Sequence, residues 1–130
     1  MMFKTLFAVA LAAFTAVPAQ SQSAGDFPSG PVRLLVPFAA GGPTDVVARI
    51  LAEQLSARWG GKPVLIENRP GAGTIVATAL VAKAPPDGHT MLVATNSLLI
   101  NPAINHSLPY DTLKDFASVS MLATQPVALV

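Results

Sequence analysis

From residue 32 onward the apolar and polar positions alternate between two kinds of block. Val32, Leu34, Leu35 and Val36 form a nearly unbroken apolar run, the pattern of a parallel strand covered on both faces rather than a half-exposed alternating one. Pro37 has no backbone donor and ends that ladder, and Gly41, Gly42 and Pro43 allow a tight turn. Thr44 is then the expected helix N-cap, with Asp45 in the first turn, where a carboxylate suits the positive end of the helix dipole. Across residues 45–59, Val47, Leu51 and Leu55 lie on one line with Val46 and Ile50 beside it, which is the helical period. Arg49 and Glu53 are spaced for an i,i+4 pair, and Gly60 and Gly61 stop the helix.

The cycle then repeats. Residues 63–67 (PVLIE) predict a second strand, residues 68–73 (NRPGAG) a second loop, and residues 74–83 a helix rich in small and β-branched side chains. A turn at residues 84–88 leads to a third strand over 90–95, which Asn96 and Ser97 close as a third polar loop. Strand, helix, strand, helix, strand in this order implies a parallel sheet with right-handed crossovers. Ligands of open α/β sheets sit outside the carboxyl ends of the strands, so all three loops are expected to face one crevice. From Asn101 the pattern is irregular, with one short helix expected around residues 112–116 and two further strands at 119–124 and 127–130. The chain stops inside the last of these, which reads as the N-terminal piece of a longer protein.

Ahead of the first strand, residues 26–31 (DFPSGP) read as a flexible, proline-rich tail. Residues 1–24 have the layout of a secretory signal: Lys4, an apolar stretch from Thr5 to Val17, and small residues after it. The stretch is too short to span a bilayer, although a short N-terminal anchor shares the pattern. An exported location follows. Without Lys4, the eight Lys and Arg become seven, against seven Asp and Glu. That balance argues against a nucleic-acid surface, which needs a clustered basic excess. With no cysteine, disulfides and thiolate metal sites are excluded.

Candidate chemistry is sparse. Gly71, Ala72, Gly73, Thr74, Ile75 and Val76 miss the third glycine of a dinucleotide fingerprint, and the acid expected about twenty residues on is absent. His89 and His106 have no ligand-spaced partner, no serine sits in a nucleophile elbow, and no cofactor is expected. Arg69 beside its turn reads as a structural pair more readily than as an anion contact. Gly41, Gly42 and Asp45 fit a ligand cradle and a plain strand-to-helix turn equally well on spacing alone.

Four linked motifs, FPSGPVRLLVPFAAGGPTDVVAR, ENRPGAG, AKAPPDGHTML and LPYDTLKDF, occur in this order from Phe27 onward. Together they closely resemble the Bug family, the TctC-like solute receptors of tripartite tricarboxylate transporters. The resemblance implies a periplasmic-binding-protein-like α/β lobe of the Venus-flytrap kind, with a mostly parallel sheet and helices on both faces. The whole would be a two-lobe monomer, of which residues 25–130 supply the opening part of the first lobe. It implies a small carboxylated solute, bound by backbone amides and ordered waters, and membrane transporter subunits or a sensor kinase as partners.

Carried onto this chain, the motifs make Phe38, Ala39, Ala40, Gly41, Gly42 and Thr44 the first binding loop. Gly71, Ala72, Gly73 and Thr74 become the second, and Asn96 and Ser97 the third. Asp45 is assigned to the geometry of the helix start, since a carboxylate would repel the ligand. One departure stands out: where the family usually continues after PGAG with another glycine, this chain has Thr74.

A non-catalytic receptor is therefore the leading expectation, for uptake or for sensing. An exported α/β enzyme is the competitor, and a truncated product with an unpaired sheet edge and no function is the third class.

Overall fold

A computed structural model describes residues 27–124. The signal segment expected at residues 1–24 and the strand expected at 127–130 both lie outside the described residues. Three parallel strands, β1 (Val32–Val36), β2 (Val64–Asn68) and β3 (Thr90–Leu92), form one sheet in the order β2-β1-β3. Register runs from Val32 opposite Val64 to Val36 opposite Asn68 on one side, and from Arg33 opposite Thr90 to Leu35 opposite Leu92 on the other. The central strand is β1, and its Val32, Leu34, Leu35 and Val36 are each exposed by 1 % or less. Burial on both faces explains the unbroken apolar run.

Helices α1 (Pro43–Arg58) and α2 (Ile75–Ala82) are the two crossovers. The chain moves from β1 outward to β2, then back past β1 to β3. Two right-handed crossovers in opposite directions place their helices on opposite faces of the sheet. Ala48 and Ala52 of α1 pack on Val32, Leu34 and Val36, while Ala77 and Thr78 of α2 are buried and Leu35 points to the second face.

Local chemistry moves several expected boundaries. The N-cap of α1 is Gly42 rather than Thr44, with Pro43 in the first helical position. Proline fits there because its missing N–H has no intrahelical acceptor to lose. At the far end Trp59 is the C-cap, Gly60 turns to φ +64° and the Gly61 amide donates to Ser56 O at 2.9 Å, a Schellman closure. The third strand stops at Leu92, although the Val93 amide still donates to Leu35 O at 3.0 Å. Arg49 turns back to Asp45 rather than forward to Glu53.

A third helix, α3 (Ser97–Ile104), occupies a segment expected to be loop and irregular chain, and Asn96 is its N-cap. Pro102 sits inside it and removes the donor that would meet Leu98 O. The Thr112 hydroxyl supplies the replacement, donating to Leu98 O at 3.3 Å. The short helix expected at 112–116 is a single turn: the Asp115 amide donates to Asp111 O, and Asp111 Oδ1 accepts from the Leu113 and Lys114 amides. Residues 119–124 are not a strand, because no neighbouring strand among the described residues offers them a ladder.

From Phe27 onward the lead-in, expected to be a flexible tail, is docked. Phe27 meets the rings of Trp59 and His89 edge-on, at centroid distances of 5.5 and 5.2 Å. The Ser29 amide donates to His89 Nε2 at 3.1 Å, and Pro28 O accepts from Lys62 Nζ. This clamp lies at the amino ends of the strands, away from the loops described next. Among the described residues no helix is long and apolar enough to cross a membrane.

Candidate functional site

All three strands are parallel, so the loops at residues 37–42, 69–74 and 93–96 leave the same edge of the sheet. Between β1 and β3 the winding reverses, and such a switch point opens a crevice at the carboxyl ends of the strands. At that edge residues 38–44 line an open recess of about 590 Å³, and no residue of the second or third loop is part of its lining.

Asp45 organises the first loop. It is only 2 % exposed, and three donors surround it: Arg49 Nε at 2.9 Å and the Gly41 amide at 2.8 Å on Oδ2, and Asn68 Nδ2 at 2.9 Å on Oδ1. The bond from Arg49, then those from Gly41 and Asn68, hold its carboxyl well below the ordinary carboxylate range. Asn68 Nδ2 also donates to Phe38 O at 3.1 Å, and the Arg69 amide to Val36 O at 2.8 Å. The end of β2 thus holds both ends of the first loop.

This arrangement decides which donors remain. The Gly41 amide is spent on Asp45, and Gly41 at φ +85° supplies the turn. Pro43 has no N–H. The amides of Ala39, Ala40 and Thr44 meet no acceptor among the described residues. They lie at the positive end of the sixteen-residue helix α1, where an anion is favoured. With Asp45 buried against Arg49, its charge is compensated before a ligand arrives.

The second loop is built differently. Ala72, Gly73 and Thr74 have φ of +46°, +61° and +81°, a left-handed turn closed by the Thr74 amide donating to Gly71 O at 3.0 Å. For L-residues such a conformation costs about 1–2 kcal/mol each, and it is least tolerable for a β-branched side chain. Asn101 of α3, 6 % exposed, offsets part of that cost. Its Nδ2 donates to Gly73 O at 2.9 Å and to Thr74 Oγ1 at 3.3 Å. The Thr78 hydroxyl donates to Thr74 O at 2.9 Å. The amides of Gly71, Ala72 and Gly73 meet no acceptor among the described residues.

Of the third loop, Asn96 is exposed and caps α3 without a side-chain bond, and Ser97 is the first residue of that helix. Arg69 pairs with Glu67 at 3.3 Å, beside the tighter Arg33–Glu67 pair at 2.6 Å. It is engaged in a surface network outside the recess. Two residues of consequence, Asn68 and Asn101, were not among the expected site residues. Each makes its bond more than twenty residues along the chain, so periodicity carries no trace of it.

The receptor family of the tripartite tricarboxylate transporters matches residues 47–130. BugT of Bordetella pertussis is 38% identical over 131 residues, 99% of this chain and 40% of that protein. Among solved structures, a periplasmic transporter is 41% identical at a TM-score of 0.63, over 68% of this chain and 30% of its own. MatC from Rhodopseudomonas palustris, solved with bound malate, is 40% identical at a TM-score of 0.63, over 74% of this chain and 33% of its own. The chain therefore spans about two fifths of the length of BugT. It has the open parallel sheet with flanking helices of the periplasmic-binding-protein-like fold. By sequence and by fold, the chain belongs to the tripartite tricarboxylate transporter receptor family, the Bug or TctC-like receptors.

Proposed function

We propose that the protein is a periplasmic receptor that captures a small organic carboxylate at the carboxyl edge of its sheet and passes it to a tripartite-type membrane transporter. The observation that carries this reading is the recess at residues 38–44, whose unspent amides cluster at the start of α1 while Asp45 is turned away into Arg49, Asn68 and Gly41. Donors without acceptors and an acid already neutralised form a receptor for an oxyanion. The malate bound to MatC supports the same chemistry.

In this reading Phe38, Ala39, Ala40, Gly42 and Thr44 shape the first contact, with Gly41 as its hinge. Gly71 to Thr74 form the second contact, and Asn96 and Ser97 border the crevice. Residues 1–24 act as the export signal, and residues 25–130 form the opening part of the first lobe. Closure of a second lobe over the ligand completes the site. Thr44 carries the one hydroxyl lining the recess, and binding without turnover is the expected outcome.

The test is a thermal-shift screen of the full-length protein against mono-, di- and tricarboxylates, acidic amino acids and aromatic acids. A ligand that binds only the folded state at a hundred times its Kd stabilises by about 2.7 kcal/mol. A saturable rise in Tm with one class of acid supports the reading. No rise with any acid, in a protein that melts cooperatively, refutes it, and turnover of the bound acid would favour an enzyme.

A further inference from the structure

We propose that Asn101, on the helix that packs against the second loop, is a positioning residue for that loop: it holds the left-handed turn at Ala72–Thr74 in the form that offers the amides of Gly71, Ala72 and Gly73 to the anion. The proposal rests on the carboxylate reading above and adds to it a control point that the ligand need not touch.

Three observations converge. First, Thr74 is a buried β-branched residue at φ +81° in the turn that begins α2, a conformation its own backbone disfavours. Second, the Asn101 side-chain amide is spent on that turn, its Nδ2 donating to Gly73 O at 2.9 Å and to Thr74 Oγ1 at 3.3 Å. Third, Asn101 lies in α3, whose N-cap Asn96 closes the third loop. A helix that starts at one loop and grips another couples the two through a rigid element. With the Gly73 carbonyl held by Asn101 and the Thr74 amide held by Gly71 O, the peptide plane between them is fixed at both ends, and the turn that carries the Gly71, Ala72 and Gly73 amides keeps its form.

Threonine makes Asn101 necessary. Glycine takes φ near +80° unaided, so at position 74 it would hold the turn without help. Asn101 and Thr74 should therefore be strongly coupled.

The test is a double-mutant cycle on the full-length protein with Asn101→Ala, Thr74→Gly and the pair. Two readouts are used: the Kd for malate by calorimetry, and hydrogen exchange of the amides at residues 71–74 without ligand. Asn101→Ala alone should weaken malate about tenfold, the weight of one well-made hydrogen bond, and accelerate exchange in the turn. In the Thr74→Gly background the same change should cost less than about threefold, the mark of interacting rather than independent sites. Equal losses in both backgrounds would overturn the proposal, because they would mean that Asn101 acts only through the packing of α3. Asn101→Asp keeps the side-chain volume and removes both donors, and it decides the case if the alanine variant fails to fold. If the wild-type protein binds no acid, the carboxylate reading falls, while the exchange cycle alone still supports or overturns the positioning role.

Discussion

Asn68 Nδ2 donates to Asp45 Oδ1 at 2.9 Å across 23 positions of sequence, so the last residue of β2 fixes the carboxylate that shapes the first loop. Because Asp45 also accepts from the Gly41 amide and from Arg49, one side chain joins strand, loop and helix. A family motif that reads as a glycine turn followed by an acid is, in three dimensions, a carboxylate around which the loop is wrapped.

That arrangement has a pH signature. The Asp45 carboxyl is held below its ordinary range, first by Arg49, then by the Gly41 and Asn68 amides. A carboxylate with a lower pKa folded than unfolded stabilises at pH above its unfolded value of about 4, and that contribution is lost as pH falls through the folded value. Asp45→Asn should lower Tm at neutral pH and flatten, without abolishing, the fall in Tm below about pH 4. Glu67 and Asp111 are lowered too, chiefly by Arg33 and Lys114, and keep the rest of the acid limb. Melts from pH 7 to pH 2 followed by circular dichroism check this, and parallel acid limbs in the two proteins would contradict it.

The second loop should be sensitive to side chains at its first glycine. Gly71 has φ +140°, and a Cβ there would lie 3.0 Å from Val76 Cγ2. Gly71→Ala should cost about 1–3 kcal/mol from backbone strain, with the clash added. Gly73 at φ +61° has open space around it, its nearest neighbour being Asn101 Oδ1 at 3.9 Å. Gly73→Ala should therefore cost less, about 1–2 kcal/mol with no clash added. Urea denaturation of both variants measures the order, and the reverse order would be inconsistent with this turn.

The proline in α3 gives a third expectation. Thr112→Val keeps the shape but leaves Leu98 O without its donor, at a cost of about 1 kcal/mol. In a Pro102→Ala background the restored N–H can meet Leu98 O, and the same change should be nearly neutral. Equal costs in both backgrounds would mean that Thr112 acts by packing alone.

How much of this could be read from the chain depends on the range of each interaction. The path from β1 through the glycine turn into α1 is legible because an apolar run, a proline and paired glycines all act locally. The site edge follows from strand order alone. Helix α3 is hidden because the Asn101–Pro102 pair reads as a turn, and the hydroxyl that rescues Leu98 O comes from Thr112. The clamp of Phe27 on Trp59 and His89 turns an apparent tail into packed structure. Apolar residues at 119–124 look like a strand, yet apolar pattern without a partner does not make a ladder: Val119 and Met121 stay exposed. Asn68 and Asn101 resemble ordinary loop polar residues until folding brings them to Asp45 and Gly73.

The central claim is that unspent backbone amides at the carboxyl edge of the sheet receive a carboxylate. Its most direct test is a titration of the nitrogen-labelled, full-length protein with malate and a panel of di- and tricarboxylates, followed amide by amide in two-dimensional NMR spectra. A bound acid should shift the amides of Ala39, Ala40, Thr44, Gly71, Ala72 and Gly73 in a saturable way and leave the Gly41 amide, already committed to Asp45, nearly unmoved. Saturable binding that bypasses these amides, or spectra unchanged by every acid in the panel, would contradict the account.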